Sequence, residues 1–498
     1  MGYVLGIDLG TSSVKGVLVD RGGVTYQSIS KTYPLINEKP GYSEQDPHLW
    51  YKKTVELVSE LVSKLNGKAE KIEGISFSGQ MHGLVLIDDD LNVLRNAILW
   101  NDTRTAPQCR EIHNTLGKEK LLDITKNRAL EGFTLPKLLW VKKNEKGIFD
   151  RIKYFLLPKD YLRFRLTGNI QTDYSDAAGT LLLDVANKKW SEEICETFGV
   201  NKDICPPLVE SHEFCGTITS HFADETGLSS TTKVFAGGAD NACGAIGSGV
   251  LTNGKALCSI GTSGVMLSYD ESGNKDYKGK LHYFNHGKQN AFYSMGVTLS
   301  AGYSLQWFQQ AFRIDDPLES LFKELDSTLI GAQGLIFTPY LVGERTPYAD
   351  ASIRASFIGM DTFHEKKHFV RAIMEGVTFS LKESLDLLRE NNIEVNSIIS
   401  IGGGSKNNLW LQMQADIFNT RVIKLSNDQG PSLGAAILAA YGCGWYNSLE
   451  ECAKVFITYE KYYDPIEENV EKYNALYDVY KKVYSRTRDL NRELEIYR

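Results

Sequence analysis

The chain contains no run approaching the roughly 20 apolar residues that cross a bilayer, so no membrane-spanning role is expected. It has no surplus of positive charge. Lys and Arg number 55 against 62 Asp and Glu, a net charge of −7. Nucleic-acid binding relies on basic surfaces that displace counterions, so no nucleic-acid partner is expected. Cysteine is scarce: eight residues, none in a C-x-x-C spacing. Reduced thiols in a cytoplasmic protein are the expectation. Cys205, His212 and Cys215 lie close in sequence but lack a fourth ligand for a metal. Near the start there is neither a basic flank nor a long apolar stretch, so no secretory leader is expected. Gly6 stands where a myristoylation signal wants Ser or Thr.

What is present is the balance of a globular protein, 42% apolar and 23% charged. At 498 residues the chain is too long for one core, and two domains are expected. "YVLGIDLG", "VKGVLVD" and "VTYQSIS" read as three strands. A helix follows, with Asp46 as N-cap and Pro47 in its first turn. "KIEGISFSG" is then a fourth strand. The second half repeats the plan. "GKALCSIG" and "GVMLSYD" form a hairpin, followed by the strand "NAFYSMGV" and the helix "SLQWFQQAF". "GLIFTPYL", a helix from about Glu365 to Arg389, "SIISIGGG", "NLWLQMQADIF", "RVIKL" and "SLGAAILAAYG" complete it. An amphipathic helix around Tyr473, Tyr477, Tyr480 and Tyr484 is expected to pack on its own domain. The expected fold is therefore α/β, with two similar units and a cleft between them. Their boundary is placed in the glycine-rich Gly244–Gly254, giving domains 1–247 and 248–498.

The same three residues, G-T-S, connect the first hairpin of each unit, at Gly10–Ser12 and Gly261–Ser263. One such turn is an ordinary hairpin connection. Two at matching points suggest anion-binding nests on either side of one ligand, since backbone N–H groups converge there and glycine lets a phosphate approach. Thr11, Ser12, Thr262 and Ser263 supply hydroxyls and Lys15 a positive charge. Asp8 precedes the first turn. A carboxylate beside a polyphosphate calls for a cation, and Mg²⁺ suits few carboxylates plus phosphate oxygens; the plain alternative is a turn cap. A third glycine group, Gly402–Gly404, ends a strand, and Asn408 lies one helical turn on. Bare backbone at Gly403 and Gly404 suits contact with a flat base.

On the acceptor side, Asp240 and Asn241 sit in "FAGGADNACGAIGSG". Asp240 fits two roles equally: a helix cap, or a general base that orients an alcohol and takes its proton. Gln80, Met81 and His82 end a strand, and a hairpin returns to Trp100, Asn101, Asp102 and Arg104. Hydrogen-bonding groups beside aromatic surface suit a polyol.

With these motifs in place, the whole chain resembles the FGGY carbohydrate kinases, of the actin and sugar-kinase superfamily. "IDLGTSSVKG" resembles the first phosphate motif, "SIGTSGVM" the second and "GGGSKNN" the adenosine motif. "GFTLPKLLWVKKN" and "ASFIGMDTFHEKKHFVRAIMEG" resemble the two family signatures. The resemblance implies two ribonuclease H-like domains, ATP and Mg²⁺, Asp240 as catalytic base and Asp8 near Mg-ATP. It implies sugar contacts from Met81, His82, Asp240 and Asn241, and phosphate contacts from Thr11, Ser12, Ser13 and Lys15. Thr262, Gly302, Gln306, Gly404 and Asn408 match nucleotide-contacting positions, with Gly261 in the second turn. The family often has Arg where this chain has Lys15, so a single charge replaces a fork there. "SGQMHG", "WNDTRT", "GGADNACGA" and "PYLVGERTPYAD" look most like members acting on D-xylulose at its 5-hydroxyl. Members acting on glycerol usually carry Arg-Glu at Met81–His82. The rivals are a ribulose or gluconate kinase, and, in another class, an actin- or chaperone-like ATP switch without a sugar site. A homodimer is expected only because two-fold dimers are the commonest oligomer.

Overall fold

The computed structural model describes residues 2–65, 67 and 69–498. Strands β1 (Tyr3–Leu9), β2 (Ser13–Asp20) and β3 (Thr25–Thr32) form an antiparallel meander in which Asp8 pairs with Lys15 and Leu9 with Val14. β1 and β2 are almost wholly buried, as strands covered on both faces must be, whereas β3 alternates toward solvent. Helix α1 (Pro47–Ser63) begins as its punctuation dictates: the Asp46 carboxylate accepts the His48 N–H at 2.9 Å. It buries Trp50, Leu57, Val58 and Leu61. A parallel return needs such a crossover, and β4 (Ile72–Gly79) runs parallel to β1 with Ser78 beside Asp8.

The chain leaves this sheet at Gly79 and rejoins it only at β5 (Phe214–Thr217) and β6 (Lys233–Phe235). The excursion holds short two-stranded pairings and helices, among them α2 (Thr134–Asn144) and α3 (Pro158–Thr167). A two-residue strand, β7 (Gly238–Ala239), then pairs with Ser78–Gly79, and α4 (Asp240–Gly247) starts at once. The sheet order is β5-β6-β4-β1-β2-β3, with β7 beside β4.

The second sheet repeats the centre of the first. It contains β8 (Gly254–Ile260), β9 (Gly264–Asp270), β10 (His282–Asn285) and β11 (Phe292–Thr298). After helices α5 (Gly302–Ala311) and α6 (Lys366–Glu390) come β12 (Val395–Gly402), α7 (Asn408–Phe418) and β13 (Arg421–Leu425). Helix α8 (Pro431–Gly442), β14 (Tyr459–Tyr463) and helix α9 (Glu467–Glu493) follow. The order is β10-β11-β9-β8-β12-β13-β14. β8 is antiparallel to β9 and parallel to β12, as β1 is to β2 and β4. Three elements of this half differ from the sequence reading: β10 and the edge strand β14 were not expected, and "GLIFTPYL" supplies only a three-residue strand, Ile336–Thr338, paired outside the main sheet. The tyrosine helix α9 packs as expected on α6, with the rings of Phe379 and Tyr477 at 5.6 Å.

Helix α8 is apolar on every side and packs against β1, β4 and α4, on the first sheet rather than the second. The approach is possible only through glycine. A methyl group at Gly6 would lie 2.0 Å from the Ser432 carbonyl oxygen, and one at Gly434 would lie 1.9 Å from that of Cys243. Among the described residues no helix is long and apolar enough to cross a membrane.

Candidate active site

The two G-T-S turns occupy equivalent places, after β1 and after β8, but they are not identical. Leu9 pairs with Val14 and Ile260 with Gly264, so the first turn is one residue longer. The Gly10 N–H donates to the Ser13 carbonyl and the Gly261 N–H to the Ser263 carbonyl, each at 3.0 Å. Ser12, Gly261 and Thr262 are exposed, and Ser13 is half-buried. The Thr11 hydroxyl is already engaged. It donates to Gln80 Oε1 at 3.3 Å and accepts the Trp100 indole N–H at 2.8 Å. Thr11 therefore ties the first turn to the segments after β4. Lys15 Nζ reaches the Gln429 carbonyl at 3.0 Å, just ahead of α8, and so joins the two halves.

Around the second turn, the Gly302 N–H bonds the Gly261 carbonyl at 2.8 Å, seating the start of α5 against it. Gln306 lies exposed one helical turn further on. β12 ends beside β8 in Gly402–Gly404. A methyl at Gly404 would meet the Ile260 side chain at 2.7 Å, whereas Gly403 is exposed. Asn408 opens α7, and its Oδ1 accepts the Tyr463 hydroxyl at 2.7 Å. These groups gather at the carboxyl ends of the central strands, where open α/β sheets bind ligands.

Asp8 ends on the same sheet edge. Burial raises its carboxyl above the usual range, opposed by a 2.8 Å hydrogen bond from Ser78 and by the charge of Lys15. Asp240, the first residue of α4, is pushed up to about 7 by burial and by the negative charge of Asp8. The Asn241 N–H and side-chain amide, 2.7 and 3.0 Å from Asp240 Oδ1, act the other way. Two neighbouring buried carboxylates repel. A divalent cation held through water, phosphate oxygens and Asp8 fits that donor set. Among the described residues no group of three or more His, Cys, Asp or Glu side chains is placed to hold a metal by itself.

Between the two sheets lies a cavity of about 200 Å³, lined from the first half by Met81, His82, Trp100, Asp240 and Asn241. The second half contributes Ser263, Val265, Met295, Val297 and Arg345. Five of the six expected sugar-side residues thus meet in one place. Asp102 does not. It is fully buried, and its oxygens are taken by the Arg104 guanidinium at 2.7–3.0 Å and the Ser43 N–H at 2.6 Å. It fixes the Trp100–Arg104 loop instead of facing a ligand.

His82 is held in the left-handed region, φ 68°. Its carbonyl accepts Lys137 Nζ at 2.9 Å and the Thr134 hydroxyl at 3.1 Å, both from α2. That explains what the "GFTLPKLLW" segment does here. His82 Nδ1 lies 2.6 Å from the Gly179 carbonyl, which only accepts, so Nδ1 carries the proton. Burial pushes the imidazole down to about 3, helped by the charges of Lys137 and Arg345. The ring is neutral, and Nε2 is an acceptor. Sequence reasoning missed Phe133, Met295 and Arg345 as cavity residues. Phe133 and Arg345 lay inside quoted motifs, but no local periodicity shows which way a loop residue turns.

A duplicated sheet with glycine–hydroxyl turns at matching points, and a buried carboxylate beside a cavity that also holds His82 and Arg345, have the form of a two-lobed small-molecule kinase. Comparison with known proteins makes this specific. The pattern of the FGGY family of carbohydrate kinases, N-terminal domain, matches residues 3–247, and that of the C-terminal domain matches 256–443. The chain belongs to the FGGY family and is a carbohydrate kinase. It is 61% identical to a xylulose kinase of Bacillus subtilis over 498 residues, covering 100% of both chains. Among solved structures it resembles a ligand-bound xylulose kinase from Lactobacillus acidophilus, with TM-score 0.93, 28% identity and 98% of each chain covered. A gluconate kinase from the same organism matches with TM-score 0.92, 28% identity and 98% of each chain covered.

Proposed function

We propose that this carbohydrate kinase transfers the γ-phosphoryl group of ATP to the 5-hydroxyl of D-xylulose, giving D-xylulose 5-phosphate and ADP. The observation that carries the reading is Asp240: a carboxylate poised near neutrality at the junction between the sugar cavity and Asp8. A base works best with a pKa close to the working pH. Asp240 accepts the hydroxyl proton as the sugar oxygen attacks the γ-phosphorus in line, and the bond to the β-phosphate oxygen breaks. Ser12, Ser13, Gly261 and Thr262 face the phosphates from the two turns, and Lys15 adds positive charge near Asp8. Gly302, Gln306, Gly403, Gly404 and Asn408 border the nucleoside. Asp8 would hold Mg²⁺, which would supply positive charge to the phosphates. Met81, His82, Trp100 and Asn241 orient the sugar. The lobes, residues 1–247 and 248–498, close about the α4–α8 contact to exclude water from the phosphoryl group. The eight cysteines are unpaired, consistent with work in the cytoplasm.

Full-length similarity to curated xylulose kinases favours D-xylulose over the alternatives. A coupled ADP assay across D-xylulose, D-ribulose, D-gluconate and glycerol tests this. The expected result is ADP formation that depends on sugar, with the highest kcat/KM for D-xylulose. Preference for gluconate would replace the substrate, and sugar-independent ADP release would indicate an ATP-driven switch.

A further inference from the structure

The cavity contains one strong cation that the reaction chemistry above leaves unused. Arg345 lines it from the loop that follows the strand Ile336–Thr338. The loop is firmly built. The buried Glu344 carboxylate accepts the Thr298 hydroxyl at 2.6 Å, the Arg345 N–H at 2.7 Å, the Leu299 N–H at 3.1 Å and the Ser380 hydroxyl at 3.2 Å. Thr346 adds two bonds to Val297 of β11, each at 3.0 Å. Glu344 is thus spent on backbone and hydroxyl donors. Among the described residues, no side chain or carbonyl hydrogen-bonds the Arg345 guanidinium. The charges of Glu131 and Glu344 act on the guanidinium, but its N–H donors are left for a ligand that supplies acceptors.

Arg345 lines the same cavity as His82 and Asp240. This inference rests on the proposed D-xylulose reading. A 2-ketopentose can close a five-membered ring only through its own O5. When O5 is free to attack phosphorus, the sugar must be open-chain, and C2 is then a carbonyl. A carbonyl oxygen only accepts hydrogen bonds, and a guanidinium only donates them.

We propose that Arg345 recognises the C2 carbonyl of the open-chain ketose and so sets the preference for a ketose over the corresponding alditol. Asp240 and Arg345 then hold the two ends of the substrate, one at O5 and the other at O2. The prediction separates carbonyl recognition from general polyol binding, because xylitol has a hydroxyl where D-xylulose has the ketone.

The test compares the wild type, Arg345→Met and Arg345→Lys. It measures KM for D-xylulose, Ki for xylitol as a competitive inhibitor, KM for ATP, and circular dichroism to verify folding. Loss of a charged hydrogen bond corresponds to about a 10- to 100-fold change. Arg345→Met is expected to raise the D-xylulose KM by that factor, while xylitol Ki shifts less than about threefold and ATP KM stays constant. Arg345→Lys should recover part of the affinity through a single donor, and it carries the test if the Met variant does not fold. Equal weakening of both ligands, a rise confined to ATP, or an unchanged D-xylulose KM would overturn the assignment. Wild-type enzyme that forms no ADP with D-xylulose overturns the functional reading beneath it. Wild-type turnover with an indifferent Arg345→Met overturns this inference alone.

Discussion

Replacing Asp240 by Asn isolates its proton-accepting role. The amide keeps the shape of the carboxylate and can still accept the two bonds from Asn241, but it takes no proton from the sugar. Turnover should fall by about 10²- to 10⁴-fold, the usual general-base contribution. The carboxyl is displaced from 3.8 to about 7 by burial and by Asp8. In the wild type, with a pKa about 7, roughly a tenth of free enzyme carries the ionised base at pH 6 and roughly nine-tenths at pH 8, so kcat/KM should rise about tenfold across that interval. The same displacement affects stability. The folded form binds the Asp240 proton more tightly than the unfolded chain, so stability from this group is greatest below 3.8 and is lost as pH rises through about 7. Full ionisation costs at most about 4 kcal/mol, and less in practice because the side chain keeps contact with the open cavity. Asp240→Asn should therefore be more stable than wild type by about 1–3 kcal/mol at pH 8, with the gain shrinking toward pH 5. Urea unfolding at the two pH values, beside initial rates by the coupled ADP assay, reads both effects. A folded variant with a tenth or more of wild-type turnover, or with no pH-dependent gain in stability, would refute the reasoning.

Three further changes test the surroundings. His82→Ala removes the neutral acceptor on the sugar wall and should raise the D-xylulose KM about tenfold or more while leaving ATP KM alone; a change in ATP KM only would misplace His82. Trp100→Phe keeps the ring but loses the 2.8 Å bond to Thr11, and should weaken sugar binding several-fold with little change in melting temperature; unaltered sugar KM would remove the link between turn and cavity. Gly434→Ala drives a methyl group to 1.9 Å from the Cys243 carbonyl at the α4–α8 contact and should destabilise by about 1–3 kcal/mol. An unchanged melting temperature would show that the helices part without cost.

Much of the fold was legible because each unit opens with apolar strands and ends its hairpin in G-T-S. Asp46 and Pro47 marked the start of α1 to the residue. What stayed hidden was direction. Helix α8 reads as an apolar helix of the second half, yet its glycine face docks on β1, a tertiary choice with no local signal. β10, "HYFN", is too short to stand out from its polar flanks. In the site, Met81, His82, Trp100, Asp240 and Asn241 line one cavity. Asp102 turned inward because Arg104, two residues on, offers it a closer partner than any ligand. Arg345 was invisible for the opposite reason: only the folded loop brings it to the cavity, where among the described residues no side chain or carbonyl hydrogen-bonds its guanidinium.

A structure of the enzyme with D-xylulose, Mg²⁺ and a non-hydrolysable ATP analogue would decide the matter. An Asp240 carboxylate oxygen should lie about 2.6–3.2 Å from the sugar O5, with O5 in line behind the γ-phosphorus. If O5 instead lies beyond hydrogen-bond reach of Asp240 while the lobes are closed, Asp240 is not the base.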